Sequence, residues 1–124
     1  MGGISEIMRI ANMAEAYDIA LAPHCPLGPI ALAASFQVDA VCANFVIQEM
    51  SVGIHYNTKV GVDLRAYTKD PSIFDVVDGT VKVTNKPGLG IDIDEEAVRA
   101  AAVNAPAWQQ PYFIDSVSGE LREW

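Results

Sequence analysis

Basic side chains are scarce in this sequence: Lys and Arg total 8 against 16 Asp and Glu, for a net charge of -8. A surface that acidic repels phosphate backbones and anionic headgroups, so neither a nucleic acid nor a membrane is an expected partner. Long apolar runs are missing too: no window approaches the roughly 18 residues a spanning helix needs. The opening Met1-Gly2-Gly3-Ile4-Ser5-Glu6 lacks the basic-then-apolar order of a signal peptide, and Glu6 stands where a myristoylation motif wants Ser or Thr. Cysteine is limited to Cys25 and Cys42, whose spacing matches no zinc or redox motif. Two free thiols in a reducing cytosol are the expectation, and with them a cytoplasmic location. There is no internal repeat, low-complexity tract or flexible linker.

What is present is enough for a globular unit. The 124 residues are 51% apolar and 19% charged, a balance that buries a core rather than staying disordered. Ile4, Ile7, Met8, Ala11 and Ala14 recur at helical steps, with Ser5 as a candidate cap. Ile19-Ala20-Leu21-Ala22 is a short apolar run without alternation, the pattern of a strand buried on both faces, and Pro23 ends it. Pro29 suits the first turn of a second helix reaching Asp39, with Ile30, Ala33, Ala34 and Val38 inward. Phe45-Val46-Ile47 is a second buried strand. Helix, strand, helix, strand is the rhythm of a parallel α/β protein.

The pattern changes after Glu49. Residues 50 to 72 predict irregular structure with short helical pieces at most. Two β-rich runs, 73–77 and 80–83, flank Asp78-Gly79, the dipeptide that most strongly signals a hairpin. Pro87-Gly88-Leu89-Gly90 is a turn, and Asp94 caps a helix through Val103 with Glu95 and Glu96 in its first turn. Pro106 and Pro111 break the tail.

Two residues stand where chemistry is done in parallel α/β folds. His24 follows the first strand and Glu49 the second, so both would project from the carboxyl ends of adjacent parallel strands, the catalytic rim of βα-barrels. A histidine there can take or give a proton near neutral pH, and a glutamate can hydrogen-bond to developing charge. Read singly, His24 better suits a structural role and Glu49 a solvated loop; only together do they suit a shared ligand as well as those roles. His55, beside Tyr56, suits surface or packing, and Trp108 and Trp124 suit packing anchors. Asp92, Asp94, Glu95 and Glu96 fit no calcium loop and are better read as acids at a helix start. Pro87–Gly90 is no phosphate loop, since an acidic stretch follows it. From the residues alone, no metal-binding set emerges.

Longer runs carry a resemblance. Gly2-Gly3-Ile4-Ser5-Glu6, Ile10–Tyr17, Ala22-Pro23-His24-Cys25-Pro26-Leu27-Gly28-Pro29-Ile30-Ala31, Asn44–Glu49, Gly53–Asn57, Pro87–Gly90 and Glu123-Trp124 together resemble galactonate dehydratases of the enolase superfamily (mandelate racemase/muconate lactonizing enzyme-like). The similarity covers nearly the whole chain. It implies an α/β fold that is the last two strand units of a modified (β/α) barrel, residues 1–49. Residues 50–124 would pack on the barrel and return, through a hairpin and a helix, to a capping domain. It also implies a lyase that removes water from galactonate to give a 2-keto-3-deoxy acid, through an enediolate stabilised by Mg²⁺. His24 matches the family's α-proton base of the His-Asp dyad, and Glu49 the glutamate that hydrogen-bonds the substrate carboxylate.

The same resemblance implies that much of the site lies elsewhere. The family's three Mg²⁺-binding carboxylates and its second catalytic histidine sit on earlier strands, and the dyad's aspartate would precede Met1. The expectation is a part of a working sugar-acid dehydratase that is inactive alone. Its barrel edges would be exposed, so it would associate, as a homo-oligomer or through those edges. The alternatives are a non-catalytic remnant or assembly partner, and a related dehydratase or racemase of the same superfamily. Residues 107–111 and 115–119 depart from the commoner form of the family, which bears on finer substrate contacts.

Overall fold

The structure is a computed structural model that describes residues 2–51, 63–103, 105 and 117–120. His55, Tyr56, Trp108, Trp124, Pro106 and Pro111 lie outside the described residues. Three α-helices are described: α1, Ile4–Glu15; α2, Pro29–Asp39; and α3, Glu95–Val103. No helix among the described residues is long and apolar enough to cross a membrane.

Helix α1 starts without the expected serine cap. Gly3 takes the N-cap position with φ 87°, and Ser5 lies inside the first turn. A left-handed N-cap is open to glycine and strained for serine, which explains the difference. One face of α1 then buries Ala11 against Leu21 and Val38, with Ile7, Met8 and Cys42 packed around them.

Helix α2 is the central element. Gly28 precedes it and Pro29 occupies the first turn, where the missing N–H costs nothing. The expected inward face is corrected in part. Ala33 and Val38 are buried, but Ile30 is 55% exposed, and Leu32, Ser35 and Phe36 are buried as well. This helix is apolar nearly all round, so its periodicity cannot choose a side and its neighbours do. Val38 faces the α1 cluster, whereas Leu32 and Phe36 join Cys25 and Phe74 in a second cluster. The Phe36 and Phe74 rings meet at 6.1 Å between centroids, tilted by 48°. A tilted pair of this kind adds about 0.5–1.5 kcal/mol to the burial itself.

The two expected strands are present only as a parallel bridge between Leu21 and Phe45. The reason lies in the sequence. A parallel ladder that begins at this bridge next requires the N–H of residue 23, and Pro23 has none. Asn44 stiffens the bridge from behind: its amide nitrogen donates to Ala11 O (3.0 Å) and Ile19 O (2.8 Å), and its oxygen accepts from Cys42 Sγ (2.9 Å). Helix, strand and loop are thus tied at one side chain.

The hairpin also contracts. Asp78 (φ 49°) and Gly79 (φ 74°) form the left-handed turn that Asp-Gly signals, but only Val77 and Thr80 pair across it. Ile73 and Phe74 belong instead to a 3-10 turn, Pro71–Phe74, opened by Asp70, whose carboxylate accepts from Ser72 N. An Asp-Pro start outweighs β-rich composition here, and the turn places Phe74 in the core. A second 3-10 turn, Leu64–Tyr67, is capped by Asp63 and bridges through Thr68 to Ile93. Asp94 caps α3 as its sequence predicts, accepting from Ala97 N at 3.0 Å.

Candidate functional site

The bridge fixes where the candidate site residues stand. Leu21 N–H donates to Asn44 O at 2.8 Å, and Val46 N–H donates to Leu21 O at 3.0 Å. In an unbroken parallel ladder the N–H of residue 48 would come next to Pro23 O. It does not. The N–H of Glu49 reaches Pro23 O instead, at 3.2 Å, and the side-chain amide of Gln48 donates to the same oxygen at 2.9 Å. Two residues of the second segment therefore stand opposite one of the first, which is the signature of a bulge.

That extra residue decides which side chain meets His24. Counting three residues on from the Leu21–Phe45 bridge along both segments, the in-register partner of His24 is Gln48. Alternation would then send Glu49 to the opposite face. The one-residue slip presents Glu49 instead, and His24 Nδ1 pairs with Glu49 Oε2. Pro23 and Cys25, on either side of His24, are buried, while the His24 side chain is 75% exposed and that of Glu49 54% exposed.

These exposures limit what the pair adds to the fold. An ion pair this open to water contributes ~0–1 kcal/mol to folding, so it is not a device of stability. Both groups are instead reachable by a ligand. An ionised carboxylate only accepts, so the Nδ1 position carries the shared hydrogen, and the lone pair of a neutral His24 lies on Nε2. The arrangement offers one nitrogen base, oriented from behind by one carboxylate.

The structure thus brings together the two residues that the sequence nominates, His24 and Glu49. His55 lies outside the described residues. Asp92, Asp94, Glu95 and Glu96 stay at the start of α3, where Asp94 is a cap. Sequence reasoning missed Gln48 and Asn44, the two amides that hold the segment. The available signal was polarity: Gln48 and Asn44 directly flank the apolar run Phe45–Ile47, and Pro23 leaves a ladder bond to replace.

The described residues do not fit a Mg²⁺ site. Among the described residues no three His, Cys, Asp or Glu side chains come together. His24 and Glu49 offer a single carboxylate, whereas Mg²⁺ demands a near-ideal octahedron of oxygens.

A helix, a parallel-paired segment, a second helix and a second paired segment, with polar side chains beyond the carboxyl ends, is the arrangement of part of a (β/α) barrel. Residues 1–97 match the family described as enolase C-terminal domain-like, and the chain belongs to that family. Among curated proteins it is 52% identical over 123 residues to a D-galactonate dehydratase of Xanthomonas axonopodis pv. citri (strain 306), covering 99% of this chain and 31% of that protein. A D-galactonate dehydratase of Xanthomonas oryzae pv. oryzae (strain PXO99A) is 50% identical over the same share. The chain spans about a third of the length of these relatives. Among solved structures, a putative mandelate racemase/muconate lactonizing enzyme from Burkholderia SAR-1 aligns with TM-score 0.70 and 28% identity, covering 98% of this chain and 29% of that one. A mandelate racemase/muconate lactonizing enzyme-like protein from Rubrobacter xylanophilus DSM 9941 aligns with TM-score 0.64 and 30% identity, over 81% of this chain and 24% of that one.

Proposed function

We propose that this chain is the catalytic-rim portion of a sugar-acid dehydratase acting on galactonate, and that it supplies the base and one carboxylate-handling residue but no turnover alone. The observation that carries the reading is the His24–Glu49 pair at the end of a parallel bridge, in a chain about half identical to D-galactonate dehydratases.

The proposed chemistry follows from the two side chains. Nε2 of His24 takes the proton α to the substrate carboxylate, and the C–H electron pair moves into that carboxylate to give an enediolate. The imidazolium so formed keeps its Nδ1 contact with Glu49 Oε2. In its protonated form Glu49 donates a hydrogen bond to the substrate carboxylate as negative charge grows there, while its other oxygen still accepts from His24 Nδ1. Departure of the β-hydroxyl as water needs a general acid that this pair does not include, and tautomerisation then gives the 2-keto-3-deoxy acid. The missing acid is one reason the chain alone is proposed to be inactive. Residues 1–49 form the barrel part on this reading, and the following residues the segment that packs on it.

Association is the second part of the proposal. Ile19, Val46 and Ile47 are each more than half exposed on the paired segments, which suits a surface built to be covered by further barrel units. Sedimentation as a clean monomer with a cooperative melt would count against it.

The test of the activity is a dehydration assay on galactonate with Mg²⁺, run on the chain alone and on the chain joined to the N-terminal two-thirds of the Xanthomonas relative. Turnover is expected only in the chimera, with a loss of about a thousandfold or more on His24→Asn. Turnover by the chain alone, or turnover in the chimera that survives His24→Asn, would overturn the reading.

A further inference from the structure

We infer that Gln48 is a positioning residue, whose side-chain amide holds the register slip that brings Glu49 to His24; its catalytic meaning rests on the dehydratase reading above. The argument starts from a missing atom. Pro23 has no N–H, so the ladder begun at Leu21 and Phe45 cannot continue with a bond to Val46 O. The carbonyl of Pro23 remains, and a buried carbonyl needs a donor. In register its donor would be the backbone N–H of Gln48. That N–H is displaced, and the side-chain Nε2 of the same residue takes its place at 2.9 Å while the Glu49 N–H also reaches the oxygen at 3.2 Å.

Both hydrogens of the Gln48 amide are occupied. One goes to Pro23 O, and the other goes to the carbonyl of Glu49 itself. One side chain therefore clamps the residue before His24 to the residue that pairs with His24. Its remaining atom, Oε1, is buried without a partner. An amide that leaves its oxygen unsatisfied in order to spend both hydrogens on two main-chain oxygens is held by those oxygens, and they are held by it. The Gln48 amide donates to main-chain oxygens and not to the Glu49 carboxylate or the imidazole, so its effect passes through the backbone.

The role separates from plain stability by a coupling measurement. In the labelled 124-residue chain, the ring-nitrogen chemical shifts of the His24 imidazole are followed by NMR at fixed pH, with His24→Asn assigning its signals apart from those of His55. Glu49→Gln is expected to shift the Nδ1 signal, because it replaces the carboxylate that accepts from Nδ1. In a Gln48→Met background, which keeps the length and loses both donors, the same Glu49→Gln change is expected to shift it by less than half as much. Pro23→Ala is the second variant: it restores the ladder donor, favours the in-register alignment and is expected to weaken the coupling as well.

An undiminished Glu49→Gln shift in both backgrounds would overturn the inference, as would no shift in the unaltered chain. In the chimeric enzyme, Gln48→Met is expected to lower kcat at least tenfold with less than a twofold change in KM. Intact coupling that depends on Gln48 in a chimera without turnover would remove the dehydratase reading and leave the positioning role standing.

Discussion

The rim that carries His24 and Glu49 and the core around Phe74 are built by opposite means. At the rim, position is set by main-chain hydrogen bonds and two side-chain amides, and the His24 and Glu49 side chains stay in water. In the core, position is set by packing: Phe74 is 1% exposed and touches a cluster of Cys25, Leu32 and Phe36. The difference teaches that the same short stretch can serve both. His24 points out, and its neighbour Cys25 points into the Phe74 cluster. The candidate site is thereby seated on the core without drawing its own side chains into it.

Four substitutions probe that division. The largest effect is expected for Phe74→Ala, which empties the larger cluster and should cost ~3–5 kcal/mol in denaturant unfolding. Retention of the parental midpoint would show that the cluster is not what holds these residues together. Asn44→Ala comes next. It removes the donors to Ala11 O and Ile19 O and should cost about 2 kcal/mol, with the loss seen as earlier fraying of α1 against the bridge.

Asp39 tests the core side by pH. Both of its carboxyl oxygens are shut off from solvent without a partner, and burial pushes its pKa up to about 6 from 3.8. The folded chain therefore binds this proton more tightly than the unfolded chain, so stability should rise as pH falls from 7 towards 4. The expected gain is roughly 1–2 kcal/mol, below the full linkage value because the residue is only half-buried. Asp39→Asn should flatten that rise. Below about pH 4 the trend should reverse. Asp63, held low mainly by its hydrogen bond from Arg65, and Asp70, held low by hydrogen bonds from Ser72, then take up protons and lose the contacts that favour their charged forms. The smallest effect is expected for His24→Asn, within about 0.5 kcal/mol in unfolding, because the pair is exposed. A larger loss would mean that the rim also supports the fold.

Much of this was legible in the sequence, and the gaps have physical causes. Pro29 and Asp94 marked helix starts because each has one mechanism available to it there. Asp78-Gly79 gave the left-handed turn, since few other pairs adopt it. The inward face of α2 was not legible, because a helix apolar on all sides carries no directional pattern. Strand extent was misjudged for a different reason: apolar runs signal burial, and only hydrogen-bond bookkeeping at Pro23 shows where pairing stops. The meeting of His24 with Glu49 was legible from their place after two apolar runs. Gln48 was not, because its part depends on a register that no single position reveals.

The bulge opposite Pro23 has a consequence for anyone transplanting this pair. The usable specification is a count, not a motif. His24 sits three residues past the bridging position Leu21, just after a proline, and Glu49 sits four past the bridging position Phe45 on the neighbour. The length of the connecting helix drops out of that rule. A graft with equal counts on both segments would deliver the glutamate to the wrong face of its host, however faithfully the local sequence were copied.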